Sequence, residues 1–201
     1  MHRSFSHVTF LLLVATQLHA QTGSIPVGEN LTVEGIPMLP SSLVSEVRSY
    51  TESRGAGLSQ WHPLRKEMLI GTRFGNSNQF HYVKFPGGDR KQITFFEEPV
   101  GEASFEPKQG NYFVFSKDIG GNEFAQLYRF DMATSAVTML TDGKRSQNGG
   151  IKWNHAGDRF AYASTIRNGK DRDIRVMDPM DPTSDKVVAE NVGGGWSVAA
   201  W

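Results

Sequence analysis

The sequence predicts an all-β fold, a partial β-propeller of about three four-stranded blades, preceded by a signal peptide and a short helix. Three observations predict it. Segments that open "WHPLRKEMLIGT" at Trp61, "FEPKQGNYFVFS" at Phe105 and "WNHAGDRFAYAS" at Trp153 align on one another, and Trp201 stands where a fourth would begin, giving steps of 44, 48 and 48 residues. A period of roughly 40 to 50 residues built from short strands is the signature of propeller blades of four strands each. The composition agrees, with 21 Gly and 13 Phe in 201 residues and no low-complexity run, as a turn-rich β protein requires.

The first element is a targeting segment over residues 1–20. His2 and Arg3 form a weakly basic start, Val8 to Leu18 is the apolar stretch, and Ala20 before Gln21 offers a cleavage site, so export to the periplasm or medium is expected. Leu18 is larger than the small residue preferred three positions before a cut. The apolar run is short against the ~20 residues that span a bilayer, which leaves an uncleaved anchor as the alternative and no membrane association after cleavage as the expectation. The chain contains no cysteine, which excludes a disulfide framework and a thiol nucleophile.

Residues 21–56 read as an extended connector with one helix. "IPVGENLTVEGIPMLP" is punctuated by Pro and Gly; Ser41 or Ser42 is then placed to cap a helix from Leu43 towards Tyr50, with Leu43, Val47 and Tyr50 on one face. Such a stripe is expected to pack on the nearest domain.

Residues 57–201 are the incomplete propeller. In the first unit, strands are expected at 68–74, 79–85 and 91–96, joined by "GNSN" and "PGGD". The second unit gives 112–116, 126–131 and 136–140, and the third 159–164, 173–177 and 186–189. The Gly, Asn, Asp and Pro punctuation between them is what hairpins need. Inner strands are expected just before each aromatic anchor, at Gly101–Phe105, Gly149–Trp153 and Gly195–Trp201, with small residues where strands crowd a channel. Three blades cannot close a ring, and a blade cannot bury both faces alone. The chain therefore reads as the front portion of a longer protein, with a small complete all-β domain as the alternative.

The charge balance narrows the partners. Lys plus Arg and Asp plus Glu are 21 each, so no net field attracts nucleic acid or an anionic membrane. Chemistry-bearing motifs are sparse. Gly195-Trp196-Ser197-Val198-Ala199 approximates a nucleophile elbow, but that motif needs a strand before and a helix after the serine. His62 and His155 lie in the turns after the anchoring tryptophans, and His81 stands alone in a strand. Asp171, Asp173, Asp178, Asp181 and Asp185 lack the spacing of a calcium loop and read as solvated turn residues. Glu97 and Glu98, before Pro99, are a candidate amine-binding pair that reads more simply as an exposed turn. No catalytic, cofactor-binding or metal-ligating residue is assigned, and no cofactor is expected.

The strings "LSQWHPLRKEMLIGTRFGNSNQFHYVKFPGGDRKQITFFEEPV", "YFVFSKDIGGNEFAQLYRFDMATSAVTMLTDG" and "WNHAGDRFAYASTIRNGKDRDIRVMDP" resemble the N-terminal β-propeller of exported bacterial serine peptidases of the prolyl oligopeptidase (S9) family. The resemblance covers roughly Leu43 to Trp201. "FPGGDRKQITFF" and "SKDIGGNEFAQLYRFD" are its most specific pieces; the aromatic-plus-turn openings are shared with TolB-like propellers. The resemblance implies a non-catalytic gating domain whose partners are a C-terminal α/β-hydrolase domain, which carries the Ser, Asp and His triad, and short peptide substrates. Dipeptidyl peptidases of that family hold the substrate's amino terminus with a propeller Glu pair, a role not transferred to Glu97 and Glu98. A second reading is an exported TolB-like propeller that binds a protein or glycan.

Overall fold

The computed structural model describes residues 23–201, in two compact units that divide between Ser53 and Arg54. The expected targeting segment and cleavage site lie outside the described residues.

In the N-terminal unit, the connector is an Ω-shaped loop drawn shut at its base. Ser24 bridges Pro40, Ile25 N–H donates to Leu39 O at 2.8 Å, and Ser41 N–H donates to Gly23 O at 2.6 Å. Helix α1 follows at Ser41–Thr51, starting two residues earlier than its sequence pattern suggested. Neither serine caps it: Pro40, in extended backbone, is the N-cap residue, and its side chain has no oxygen to donate to. Within its unit α1 has no buried residue, and Tyr50 is 86% exposed.

The second unit contains three four-stranded antiparallel sheets in simple up-and-down order. Blade one is β1 (Ala56–Trp61), β2 (Met68–Thr72), β3 (Gln79–Val83) and β4 (Lys91–Gln92). Blade two is β5 (Val100–Phe105), β6 (Tyr112–Lys117), β7 (Gln126–Asp131) and β8 (Val137–Met139). Blade three is β9 (Asn148–Trp153), β10 (Phe160–Ser164), β11 (Asp173–Asp178) and β12 (Asp181–Ala189). This is the predicted architecture, with no closed sheet among the described residues.

The inner strands end on the aromatic anchors, and each slips register against its neighbour, between Leu58 and Gln60, between Val100 and Ala103, and opposite Ala161 to Ala163. A bulge of this kind raises local twist. Gly195–Trp201 forms no strand, contrary to expectation: a strand exists only through its ladder, and no described segment offers that stretch a partner edge. The outer strands also differ from the pattern. The predicted 91–96 strand contracts to two residues because side chains replace its ladder: Phe80 N–H donates to Thr94 Oγ1 at 2.8 Å and Phe96 N–H to Gln79 Oε1 at 3.1 Å. β12 is longer than expected and takes in Pro182, which an edge strand tolerates, after a tight turn in which Asp178 pairs with Asp181.

Alternation along the middle strands sends side chains to both faces of blade two. Phe113 and Phe115 on β6 and Tyr128 and Phe130 on β7 meet Leu69, Phe80 and Tyr82 of blade one. Val114 and Leu127, one residue out of phase, meet Phe160, Tyr162 and Met177 of blade three. Each fully buried side chain of this size contributes roughly 1.5–3 kcal/mol, so β6 and β7 hold the three sheets together.

Candidate functional site

The repeat places polar groups at three recurring positions. The first follows each aromatic anchor, where His62, Glu106 and Asn154 each turn back to accept N–H groups from the tight turn that follows. His62 Nδ1 accepts from Leu64 and Arg65 at 3.1 and 3.2 Å. Glu106 accepts from Lys108, from Gln109 at 2.8 Å and from Gly110 at 3.0 Å, and Asn154 Oδ1 accepts from Gly157 at 2.9 Å and Arg159 at 3.3 Å. Three side chains of different chemistry thus do the same work, because a turn's unpaired donors need only an acceptor at that point.

The second position opens the third strand of each blade: Gln79, Gln126 and Asp173, spaced by 47 and 47 residues. All three are buried. Gln79 Nε2 donates to the carbonyls of Phe96 and Glu98 at 3.0 and 2.9 Å, and Gln126 Nε2 donates to those of Lys144 and Ser146 at 3.0 Å each. Each glutamine therefore ties the segment leaving the outer strand back to the blade. Asp173 does this by accepting from Asn191 N–H at 3.0 Å, and its charge is met by Arg167 at 2.7 and 2.9 Å. The Arg167 guanidinium holds its carboxyl below the usual range, against the opposing push of burial. Asp173 is consequently a buried clamp and not a solvated turn residue. Asp185 departs from that reading as well, since it accepts from Arg175 Nη2 at 2.6 Å and Tyr162 Oη at 3.0 Å. Asp178 and Asp181 do cap turns, accepting from Met180 and Thr183 N–H.

The third position links inner strands of successive blades. Gln60 Oε1 accepts from Phe105 N–H. Glu102 accepts from Gly150 and Ile151 N–H at 2.8 and 3.1 Å, and Ser104 Oγ accepts from Trp153 Nε1 at 3.0 Å.

Glu98 is not the exposed turn residue that its sequence context suggested. Its carboxylate accepts from Gly120 N–H at 2.7 Å and from Lys117 Nζ at 3.2 Å, so it joins blade one to blade two. The Gly120 N–H, then the Lys117 ammonium, hold its carboxyl below the ordinary value. Lys117 also lies 5.1 and 5.2 Å over the rings of Phe96 and Tyr128, an arrangement that attracts a cation to both π faces. Glu97 is exposed and lines a shallow hollow with Asn76 and Phe95. The two carboxylates are therefore not presented as a pair. The loop that supplies Gly120 has positive φ at Gly120, Gly121 and Glu123, which accounts for the glycine pair in "SKDIGGNE".

A cleft of about 790 Å³ opens between the outer strands of blades one and two. Arg65, Glu67 and Tyr82 form one wall: Arg65 Nε donates to Glu67 Oε2 at 2.8 Å, Arg65 Nη2 to Tyr82 Oη at 3.3 Å, and Tyr82 Oη to the same Glu67 oxygen. Burial, helped by the Glu67 carboxylate, pushes the Tyr82 phenol up to about 12. Burial pushes the Glu67 carboxyl up too, but the bonds from Tyr82 and Arg65 outweigh it and leave it lowered. No sequence motif marks this trio, whose members come together only through the β2–β3 pairing. The clamp positions, in contrast, repeat at constant spacing and are readable in an alignment of the chain on itself.

His62 and His81 are both buried, and the Nε2 of each has no hydrogen-bond partner. His81 Nδ1–H donates to Gln79 O at 3.1 Å. Burial first lowers both imidazoles below their ordinary value. Ser197 of the elbow-like string lies in irregular backbone with no strand leading into it, whereas the elbow motif needs one.

Three stacked meanders of four strands, linked through their inner strands, define a β-propeller module. No protein-family model matches the chain, and no curated protein sequence matches it. Among solved structures it is similar to the putative TolB from Agrobacterium tumefaciens, at a TM-score of 0.55 and 17% identity, over 68% of this chain and 50% of that one. It is also similar to a prolyl endopeptidase, at a TM-score of 0.54 and 14% identity, over 69% of this chain and 23% of that one. Oligogalacturonate lyase from Vibrio parahaemolyticus matches at a TM-score of 0.51 and 10% identity, over 67% of this chain and 40% of that one. The likeness is one of fold, and the chain spans half or less of each of these proteins.

Proposed function

We propose that this chain is the front part of the propeller of an exported serine peptidase of the prolyl oligopeptidase family, where it gates access of short peptides to an α/β-hydrolase domain that completes the protein. The observation that carries the reading is the likeness in fold to a prolyl endopeptidase over 69% of this chain. The two strings that most resemble the family add support, since their residues occupy particular structural places: Gly87 has φ 77° in the turn before β4, and Gly120 donates to Glu98. In this reading the chain binds and restricts, and the bond-breaking groups lie in the partner domain. A TolB-like docking propeller is the second reading, favoured by the comparable likeness to TolB.

The test is to read the coding sequence past the Trp201 codon and to label the native product with a fluorophosphonate. A frame that encodes further blades, a G-x-S-x-G elbow between strand and helix, then Asp and His, together with labelling and cleavage of a short chromogenic peptide, is the expected result. Further blades followed by a stop, with no labelling, would sink the peptidase reading in favour of the docking module.

A further inference from the structure

The cleft between blades one and two has an apolar floor and a cationic rim. Ile93, Phe96, Phe130, Met132 and Val137 form the floor, and Phe95 beside them is 77% exposed. The exposed ring and the floor beside it make one contiguous apolar patch, the kind of surface that marks a contact site. Two exposed lysines, Lys84 and Lys91, stand at the edge, and no carboxylate pairs with either among the described residues. The acid in the lining, Glu67, is already committed to Arg65 and Tyr82. The cleft therefore offers apolar contact together with two uncompensated positive charges.

We propose that this cleft binds the carboxyl-terminal end of an extended peptide with apolar last residues, its terminal carboxylate held by Lys84 and Lys91. The site lies at the outer rim of the blades, and the proposal does not rest on the peptidase reading. Three features select this occupant. The volume, about 790 Å³, is that of a pocket for a few residues and not for a folded domain. The unpaired ammonium groups complement a carboxylate and disfavour a basic peptide. β4 is the free edge of its sheet, and its two residues, Lys91 and Gln92, line the cleft, so an extended main chain finds a strand edge there that an acyl chain cannot use.

The experiment is calorimetric titration of the full chain with acetyl-Ala-Val-Leu-Phe bearing a free carboxylate, with the same peptide as its carboxyl-terminal amide, and with decanoate. The free acid is expected to saturate the protein, with the amide at least about tenfold weaker and the affinity falling as salt is raised. The Lys84→Gln/Lys91→Gln double variant is expected to lose at least about tenfold for the acid while binding the amide as before. Both lysines are exposed, so an unchanged melting curve for that variant verifies that the fold is intact. Equal binding of acid and amide, indifference to the double substitution, or no saturation by about 5 mM peptide would each overturn the proposal. Decanoate binding as tightly as the peptide, with the same dependence on the two lysines, would overturn the peptide assignment and make this a fatty-acid site.

Discussion

The two interfaces that blade two makes are built from the same repeat but by different means. Against blade one it presents aromatic rings: Phe113 stacks on Phe130 at 4.9 Å and meets Phe80 edge-on at 5.5 Å, and Phe115 stacks on Tyr128 at 5.4 Å. Against blade three it presents Val114, Leu127 and Leu140, and the aromatic residues there, Phe160 and Tyr162, come from the other side. The polar links differ as well. Glu98, Lys117 and the Gly120 N–H tie the first interface, with the ammonium over two rings. At the second, the Arg175–Asp185 pair with Tyr162 sits inside blade three, and the links across are Arg129 donating to Pro179 O at 2.7 Å and the inner-strand bonds to Glu102 and Ser104. The lesson is that a propeller repeat conserves where groups meet and leaves open what they are.

The sharpest way to break this contrast is to remove a ring. Phe113→Ala is expected to cost about 3–5 kcal/mol, and Leu127→Ala about 2–5. Urea denaturation of the two variants should place Phe113→Ala at or above Leu127→Ala; the opposite order would mean that the aliphatic interface carries more of the stability.

Next in size is the partly buried ion pair of blade three. Arg175→Ala leaves Asp185, whose side chain is 17% exposed, with only Tyr162 as a donor, and is expected to cost about 1.5–3 kcal/mol. Lys117→Ala should cost less, because Glu98 keeps its bond from Gly120. Equal midpoints for the two variants in denaturant would contradict this ordering.

A smaller effect compares two glycines of the anchor turns. Gly110 and Gly157 have φ of 67° and 77°, so alanine at either is strained by about 1–3 kcal/mol. A Cβ at Gly110 would also lie 2.4 Å from His62 Nε2, in a packed ring, whereas at Gly157 the nearest atom is Lys108 Cγ at 2.8 Å, on a flexible chain. Gly110→Ala should therefore lower the melting temperature more than Gly157→Ala. Ser104→Ala, which removes the acceptor for Trp153 Nε1, should cost about 0.5–1.5 kcal/mol.

The smallest expected effect is in pH dependence, and it belongs to blade one. His62 Nδ1 accepts two N–H bonds, and protonation would turn that acceptor into a donor. Because the folded imidazoles of His62 and His81 lie below the ordinary 6.5, the folded state binds the proton less readily than the unfolded one. Their contribution is thus complete above pH of about 6.5 and is lost as pH falls through the lower folded values. His62→Asn puts in blade one the acceptor that blade three already uses at Asn154, and should flatten part of the fall in stability between about pH 7 and 5. An unchanged slope would show that His62 does not titrate on unfolding.

Much of the fold was legible in the chain because propeller blades are local. Each sheet is a meander of neighbouring strands, so alternation and turn residues announced β2, β3, β6, β7, β10 and β11 without knowledge of distant contacts. β1 went unnoticed, since Ala56–Trp61 is short of apolar residues and is defined by pairing with β2. Glu98 misled for a related reason: carboxylates before a proline look like surface, and only the approach of Lys117 from the next blade makes one of them a tie. The cleft left no trace in the sequence because its walls come from residues 65–96 of one sheet and 130–137 of the next.

What the sequence by itself determined is the periodic part: the number of blades, their strand order and the aromatic anchors. These depend on contacts between near neighbours in the chain, which a repeat writes out several times over. Only the tertiary structure decided which polar residues pair across blades, that Gly195–Trp201 forms no strand, and that two lysines face an apolar hollow. Those outcomes depend on how surfaces from separate sheets come together, and no local pattern of residue types encodes that meeting.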